Sequence, residues 1–192
     1  MYLALIDDNV LQINRPLWKL KIPLKVKVFI WLLHHGVILT KDNLAKRNWQ
    51  GTQQCCFCSS NETIAHLFFD CHVARLLWCI IHITFGLQRP NIVHMFGFWL
   101  NGMQWAQKKV FAGLCALCWP IWLSRNDIVF HKSQKQTCLR ILFRATYLAR
   151  TWMLLQKEED KDTISTACRA MESTAMEIFA KNGWQFSNRL CL

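Results

Sequence analysis

The sequence predicts a mostly α-helical protein, and three observations carry that expectation. Gly (7) and Pro (4) are scarce in 192 residues, whereas sandwiches and barrels need a turn every ~8–12 residues. Apolar residues recur at spacings of three and four through much of the chain, as one face of a helix requires. No stretch alternates apolar and polar residues as a half-buried strand would. With 53% apolar and 18% charged residues, the chain has the material for a buried core, and general disorder is excluded.

The elements follow in order. Pro23 suits the first turn of a helix, because its missing amide would have no partner there. Val26, Phe29, Ile30 and Leu33 then share one face, with Lys25 and Lys27 off it, and Gly36 is a natural stop. Thr40 reads as the N-cap of a short helix reaching about Asn48. Residues 50–62 are small and polar and read as a loop. Thr63 caps a turn through Phe69, and a longer helix runs from about Val73 to Phe85. Residues 86–107 are broken by Pro90, Gly97 and Gly102 and read as a connecting segment, whose aromatics Phe96, Phe98, Trp99 and Trp105 suggest packing at a core edge. Helical patterning returns at about 107–131, with a kink expected at Pro120. It returns again at 136–157, with Leu139, Leu142, Phe143, Tyr147 and Met153 expected inward. The acidic run 158–162 reads as a hairpin connection. A last amphipathic helix over 163–181 follows, closed by Asn182 and Gly183.

Charge is unevenly placed. The net +11 comes mainly from residues 15–50 and 108–150, each +7, around a neutral centre at 51–107. The longest apolar run, 110–123, has fourteen residues including Gly113 and Pro120, too few for the ~20 of a membrane span. It reads as a core helix, and no membrane partner is expected. The N-terminus carries Asp7 and Asp8 in its apolar stretch, with no basic region before it and no small-residue cleavage site. The ten cysteines are therefore expected in an intracellular, reducing setting, nucleus or cytoplasm, where clustered thiols more often hold metal than pair as disulfides.

The most specific pattern is Cys55-x2-Cys58-x7-His66-x4-Cys71. Two thiolates two residues apart can grip one Zn²⁺ from a tight turn, and His66 and Cys71 complete a Cys3His shell. Four protein ligands leave no position for water, so one structural zinc is expected rather than a catalytic one. Cys56 and His72 lie beside this set, and either could replace a neighbour. Cys115-x2-Cys118, followed by His131 and Cys138, is a second candidate. Its cysteines lie in the most apolar helix, where a reduced thiol also serves as a small hydrophobe. Cys79, Cys168 and Cys191 have no partners at ligand spacing.

The residues around the cluster carry a wider likeness. Trp18-x4-Pro23-x-Lys25-x3-Phe29-x-Trp31, then Leu39-Thr40-x-Asp42-Asn43-Leu44-x-x-Arg47, then Glu62-Thr63-x-x-His66-Leu67-Phe68-Phe69-x-Cys71 and Ala74-x-x-x-Trp78, resembles the plant reverse transcriptase zinc-binding domain of LINE-type (non-LTR) retrotransposons. That domain lies downstream of the polymerase, often ahead of a ribonuclease H domain. The likeness covers roughly residues 15–82, and Ile121-Trp122-x-x-Arg125-Asn126-x-x-x-Phe130 resembles the segment that follows it in such proteins. Carried over, the family's ligands fall on Cys55, Cys58, His66 and Cys71. The expected organisation is an N-terminal segment (1–14), the zinc-binding domain (15–85), a connecting segment (86–107) and a helical tail (108–192). The architecture is thus a small zinc-knuckle helical module followed by a helical C-terminal region.

Catalytic signatures are missing. Neither Tyr2 nor Tyr147 precedes the Asp pair of a polymerase, and no spaced Asp/Glu/Asp set in a strand-rich context meets the two-metal needs of ribonuclease H. A non-enzymatic role is therefore expected, with no small-molecule substrate. Lys19, Lys21, Lys25, Lys27, Lys46 and Arg47 flank the knuckle and could neutralise the phosphates of RNA or single-stranded DNA. Trp49 and Phe57 could stack on unpaired bases. Alternatively, those lysines only solvate helices whose Trp and Phe are core, Trp18, Trp31 and Trp78 among them, and the chain docks onto a reverse transcriptase polymerase domain or another protein.

Overall fold

A computed structural model describes residues 17–88, 105–131 and 137–182. The expectations placed on Tyr2, Asp7, Asp8, Pro90, Phe96, Gly97, Phe98, Trp99, Gly102, Gly183 and Cys191, and on the side chains of Trp105 and His131, lie outside what it describes. The described residues form α1 (Leu24–His34), α2 (Lys41–Ala45), a π-helical turn (His66–Asp70), α3 (His72–Phe85), α4 (Trp105–His131), α5 (Cys138–Met153) and α6 (Glu158–Lys181). Among them the only β-type pairing is an isolated antiparallel bridge between Gln54 and Asn61, so the fold is all-α.

Helix α1 starts after Pro23 and buries Val26, Phe29, Ile30 and Leu33, the face that the spacing predicts. Gly36 then adopts φ +69°, a left-handed value that costs glycine little and stops the helix. Thr40 is the N-cap of α2, but its hydroxyl donates to Asp42 Oδ1 rather than accepting a backbone amide. Helix α2 ends at Ala45, short of Asn48. Asn48 itself is left-handed (φ +63°), a conformation asparagine tolerates better than most residues and one that ends the helical run.

Phe29 anchors α1 to α4 through Trp119 and Trp122, with ring centroids 5.0 and 6.0 Å away, and to the π turn through Phe68 at 6.0 Å. Helix α4 is one continuous 27-residue helix with Pro120 inside it. It packs on α1, the π turn and α5, while α3 packs on the π turn, α5 and α6. One hydrophobic core thus runs from Leu17 to Phe179, joining the cysteine-bearing region to the tail. No helix among the described residues is long and apolar enough to cross a membrane.

The tail corrects two expectations. Helix α5 buries Cys138, Leu139, Ile141, Leu142, Ala145, Thr146 and Trp152, whereas Phe143 and Tyr147 are exposed and Met153 is half-buried. The small residues Ala145 and Thr146 let α6 approach, and the bulkier pair four residues apart is turned outward. The acidic run is not a connection. It begins α6, placing Glu158, Glu159 and Asp160 in the first turn, where acidic groups interact favourably with the helix dipole.

Candidate metal centre

Three short segments build the centre. The first is the loop carrying Cys55 and Cys58. The Cys55 amide donates to Ser60 O at 2.8 Å and the Glu62 amide to Gln53 O at 2.9 Å, so the two limbs of the loop pair. Inside it the Phe57 amide points at Cys55 Sγ, 3.4 Å away, the amide-to-sulfur arrangement of a knuckle. The second segment is the π turn. Thr63 Oγ1 accepts from the His66 amide at 3.1 Å, and the Cys71 amide donates to His66 O at 2.7 Å. That i to i+5 bond is what makes the turn π-helical, and it ties the third and fourth residues of the set into one ring. The third segment is the start of α3, whose N-cap is Cys71.

Packing fixes this turn from behind. Leu67, Phe68 and Phe69 are buried in sequence. Trp78, on α3, stacks on Phe69 with centroids 6.1 Å apart and donates its indole N–H to Phe68 O at 2.7 Å. His66 is thereby presented to the loop rather than to solvent.

The Cys55, Cys58 and Cys71 sulfurs and a ring nitrogen of His66 all lie within 4.8 Å of one another. Cys55 and Cys71 Sγ are 3.9 Å apart, Cys71 and Cys58 Sγ 4.0 Å, and Cys58 Sγ is 3.1 Å from His66 Nε2. A tetrahedral ion with Zn–S bonds of ~2.3 Å requires S···S edges of about 3.8 Å, so the donor set fits zinc. Charge points the same way. Hydrogen bonds from Cys56 and then Cys71, with the Phe57 and Cys58 amides, hold the Cys55 thiol far below its ordinary value. The same bond to Cys55 pushes Cys71 up, although the Val73 amide opposes it. Cys55 and Cys71 thus oppose each other's ionisation, and a cation between the two sulfurs would relieve that opposition.

Cys56 and His72, the neighbouring alternatives, fall outside the set, which is the one such group among the described residues. Cys115, Cys118 and Cys138 are fully buried. Burial pushes Cys118 and Cys138 up to about 12 and Cys115 well above its ordinary value, so they stay neutral and pack as small hydrophobes.

Of the residues expected to meet nucleic acid, Lys19 and Lys21 line a cleft with residues of α4, α5 and α6. Lys19, Lys21, Lys25, Lys46 and Arg47 are exposed. Lys27 is half-buried and donates to Trp18 O at 2.8 Å. Trp49 lies against Gly51, where a Cβ would fall 1.9 Å from its ring. Phe57 is a correction: it is buried in the core cluster beside the sulfurs, so its ring has no open face for a base. Of the three tryptophans assigned to the core, Trp78 is buried and Trp31 packs partly against the core, but Trp18 is exposed.

Sequence reasoning missed one element of the site. Glu62 and Arg125 form an ion pair whose side chains are both 0% exposed, with Arg125 Nη2 2.7 Å and Nε 3.0 Å from Glu62 Oε1. Both stand in the motifs quoted for the resemblance. Nothing in their spacing, 63 positions apart, announces that they meet.

A Cys3His donor set with no open position, held on an all-α scaffold, defines a zinc-binding helical module. Residues 1–78 match the family described as zinc-binding in reverse transcriptase. Over 63 residues the chain is also 29% identical to an Arabidopsis thaliana protein named "Putative ribonuclease H protein"; the aligned stretch is 32% of this chain and 10% of that protein. No solved structure matches.

Proposed function

We propose that the chain is a non-catalytic zinc-binding module derived from a retrotransposon reverse transcriptase, and that it assists binding of RNA or single-stranded DNA. The carrying observation is the tetrahedral spacing of Cys55, Cys58, His66 and Cys71. In this reading they hold one structural zinc, which supplies folding energy to a region with little regular structure of its own. The family is an accessory zinc-binding one, which supports a role without catalysis. Metal analysis of the purified chain tests the site: about one zinc per chain is expected, and none at all overturns the reading.

Nucleic-acid binding draws its support from the exposed lysines of residues 19–25 and from Lys46 and Arg47, with Trp49 the remaining aromatic for stacking. Titration of the chain into labelled single-stranded RNA should show salt-dependent binding. If all five cations meet phosphates, the log–log salt slope is about −3.5, from ~0.7 per contact on a single strand. No binding at low salt, or binding without a slope, overturns this part alone.

A second reading is favoured by the tail, which leaves Tyr147 and Leu154 67% and 72% exposed. In it the chain docks onto a polymerase domain or another protein without touching nucleic acid. Size-exclusion chromatography discriminates, since an uncovered apolar face should drive self-association.

A further inference from the structure

Arg125 stands in helix α4, far from the cysteines in sequence, yet it ends at the base of the metal-bearing loop. Its Nε and Nη2 both donate to Glu62 Oε1, while its Nη1 donates to Asn126 Oδ1 at 2.9 Å. Its guanidinium also lies 5.0 Å from the Trp122 ring centre and 5.3 Å from that of Phe130, two flanking aromatic contacts of cation–π distance. The head group is thus held on several sides.

Glu62 is the junction between the loop that carries Cys55 and the turn that carries His66. Its Oε1 also accepts from the Lys41 amide at 2.9 Å, at the start of α2. Its carbonyl accepts from the Asp42 amide, and its amide donates to Gln53 O, two residues before Cys55. Lys41, itself buried, donates its Nζ to Gln54 O. On the other side Glu62 adjoins Thr63, whose hydroxyl and carbonyl fix the amides of His66 and Leu67. Glu62 therefore sits between the Cys55 limb and the His66 limb, and Arg125 is the group that holds it.

A buried ion pair is weak evidence for stability, because desolvation offsets much of the attraction. Here the offset is larger than usual, since Glu62 Oε2 is buried with no hydrogen-bond partner. What the pair supplies is position: two N–H groups of one planar guanidinium converge on Glu62 Oε1, and fix that oxygen in a way a flexible ammonium does not.

We propose that Arg125 is a positioning residue for the metal centre, acting through Glu62, so that metal affinity at Cys55, Cys58, His66 and Cys71 is set from the tail helix. This rests on the zinc reading above. It implies that residues 15–85 alone hold metal more weakly than the full chain.

The test is cobalt and zinc binding to the full-length chain, with the thiolate-to-cobalt absorption bands as a readout of site geometry and a chromophoric chelator as competitor. Arg125→Met is expected to weaken zinc at least tenfold and to shift the cobalt bands. Arg125→Lys keeps the charge but loses the planar guanidinium, and is expected to weaken zinc several-fold while remaining folded. The paired change Glu62→Met with Arg125→Met removes the uncompensated charge, so thermal stability should return while zinc affinity stays low. Zinc affinity that recovers together with stability in the paired variant would mean a merely structural pair, and overturns the proposal. So does unchanged affinity in Arg125→Lys and Arg125→Met. A wild-type chain that takes up neither metal overturns the zinc reading itself, and this proposal with it.

Discussion

Between Lys41 and Cys71 the regular structure among the described residues amounts to a five-residue helix and a five-residue π turn, whereas residues 138–181 hold helices of 16 and 24 residues. The first region is held by side chains reaching for backbone: Lys41 to Gln54, Asn43 to Gly36 and Ile38, Thr63 to His66. The second satisfies its backbone within its own helices and closes by burying Ile141, Leu142, Ala145, Ala175 and Phe179. A short segment cannot offset its conformational entropy by apolar burial alone, so a bound metal has most to contribute there. The long helices have no such need. Sharing one core, the two regions still differ in what should unfold them.

The strongest way to break that comparison is at the metal. Cys58→Ser, or a chelator, takes away much of the ~10–16 kcal/mol that structural zinc supplies to small domains. Hydrogen exchange should accelerate across residues 40–85, while much of α5 and α6 stays protected. Identical melting with and without chelator would contradict the contrast.

Trp78→Ala comes next, because α3, which bears it, packs on the π turn as well as on α5 and α6. Its ring is buried and its indole N–H holds the π turn, so a loss of about 3–5 kcal/mol is expected. Denaturant unfolding measures it, and the zinc off-rate should rise in the same variant.

A tail-only effect is sharper still as a control. Thr137 Oγ1 accepts from the Arg140 amide at 3.2 Å, capping α5. Thr137→Ala should cost about 1 kcal/mol and leave zinc affinity unchanged.

The smallest effect is a pH dependence. Arg150, hydrogen-bonded to Glu172 at 2.6 and 2.8 Å, holds the Glu172 carboxyl below its ordinary value, helped by Thr146. A lowered carboxyl stabilises the fold above its unfolded pKa, about 4.5, and the contribution is lost as pH falls through the folded value. The pair is partly exposed, so about 0.5–1 kcal/mol is at stake. Glu172→Gln should flatten that part of the acid decline in stability, read from melts between pH 3 and 6.

Much of this contrast is legible in the sequence, at some residues more than others. The inward face of α1 follows from spacing, because Val26, Phe29, Ile30 and Leu33 leave a single apolar stripe. The metal set follows too, since Cys-x2-Cys with His and Cys beyond it is a local pattern. In α5 helical spacing puts Phe143 and Tyr147 on the same side as Arg140, Arg144 and Arg150, and Ile141, Ala145 and Trp152 on the opposite one, so the outward pair follows from the arginines once the whole wheel is drawn. The acidic run reads equally as connection or helix start, and the dipole of α6 decides. The π turn has no sequence mark, because the i to i+5 bond of Cys71 to His66 depends on Trp78 packing behind it.

By itself, then, the sequence determined the helical class, the placement of two basic blocks and the four candidate ligands, all of which depend on residues close together in the chain. Only the tertiary structure decided that Cys115 and Cys118 are core, that Phe57 is buried, and that Glu62 meets Arg125. Each of these depends on what a distant segment brings against the residue, and burial and charge pairing are properties of that encounter rather than of local order.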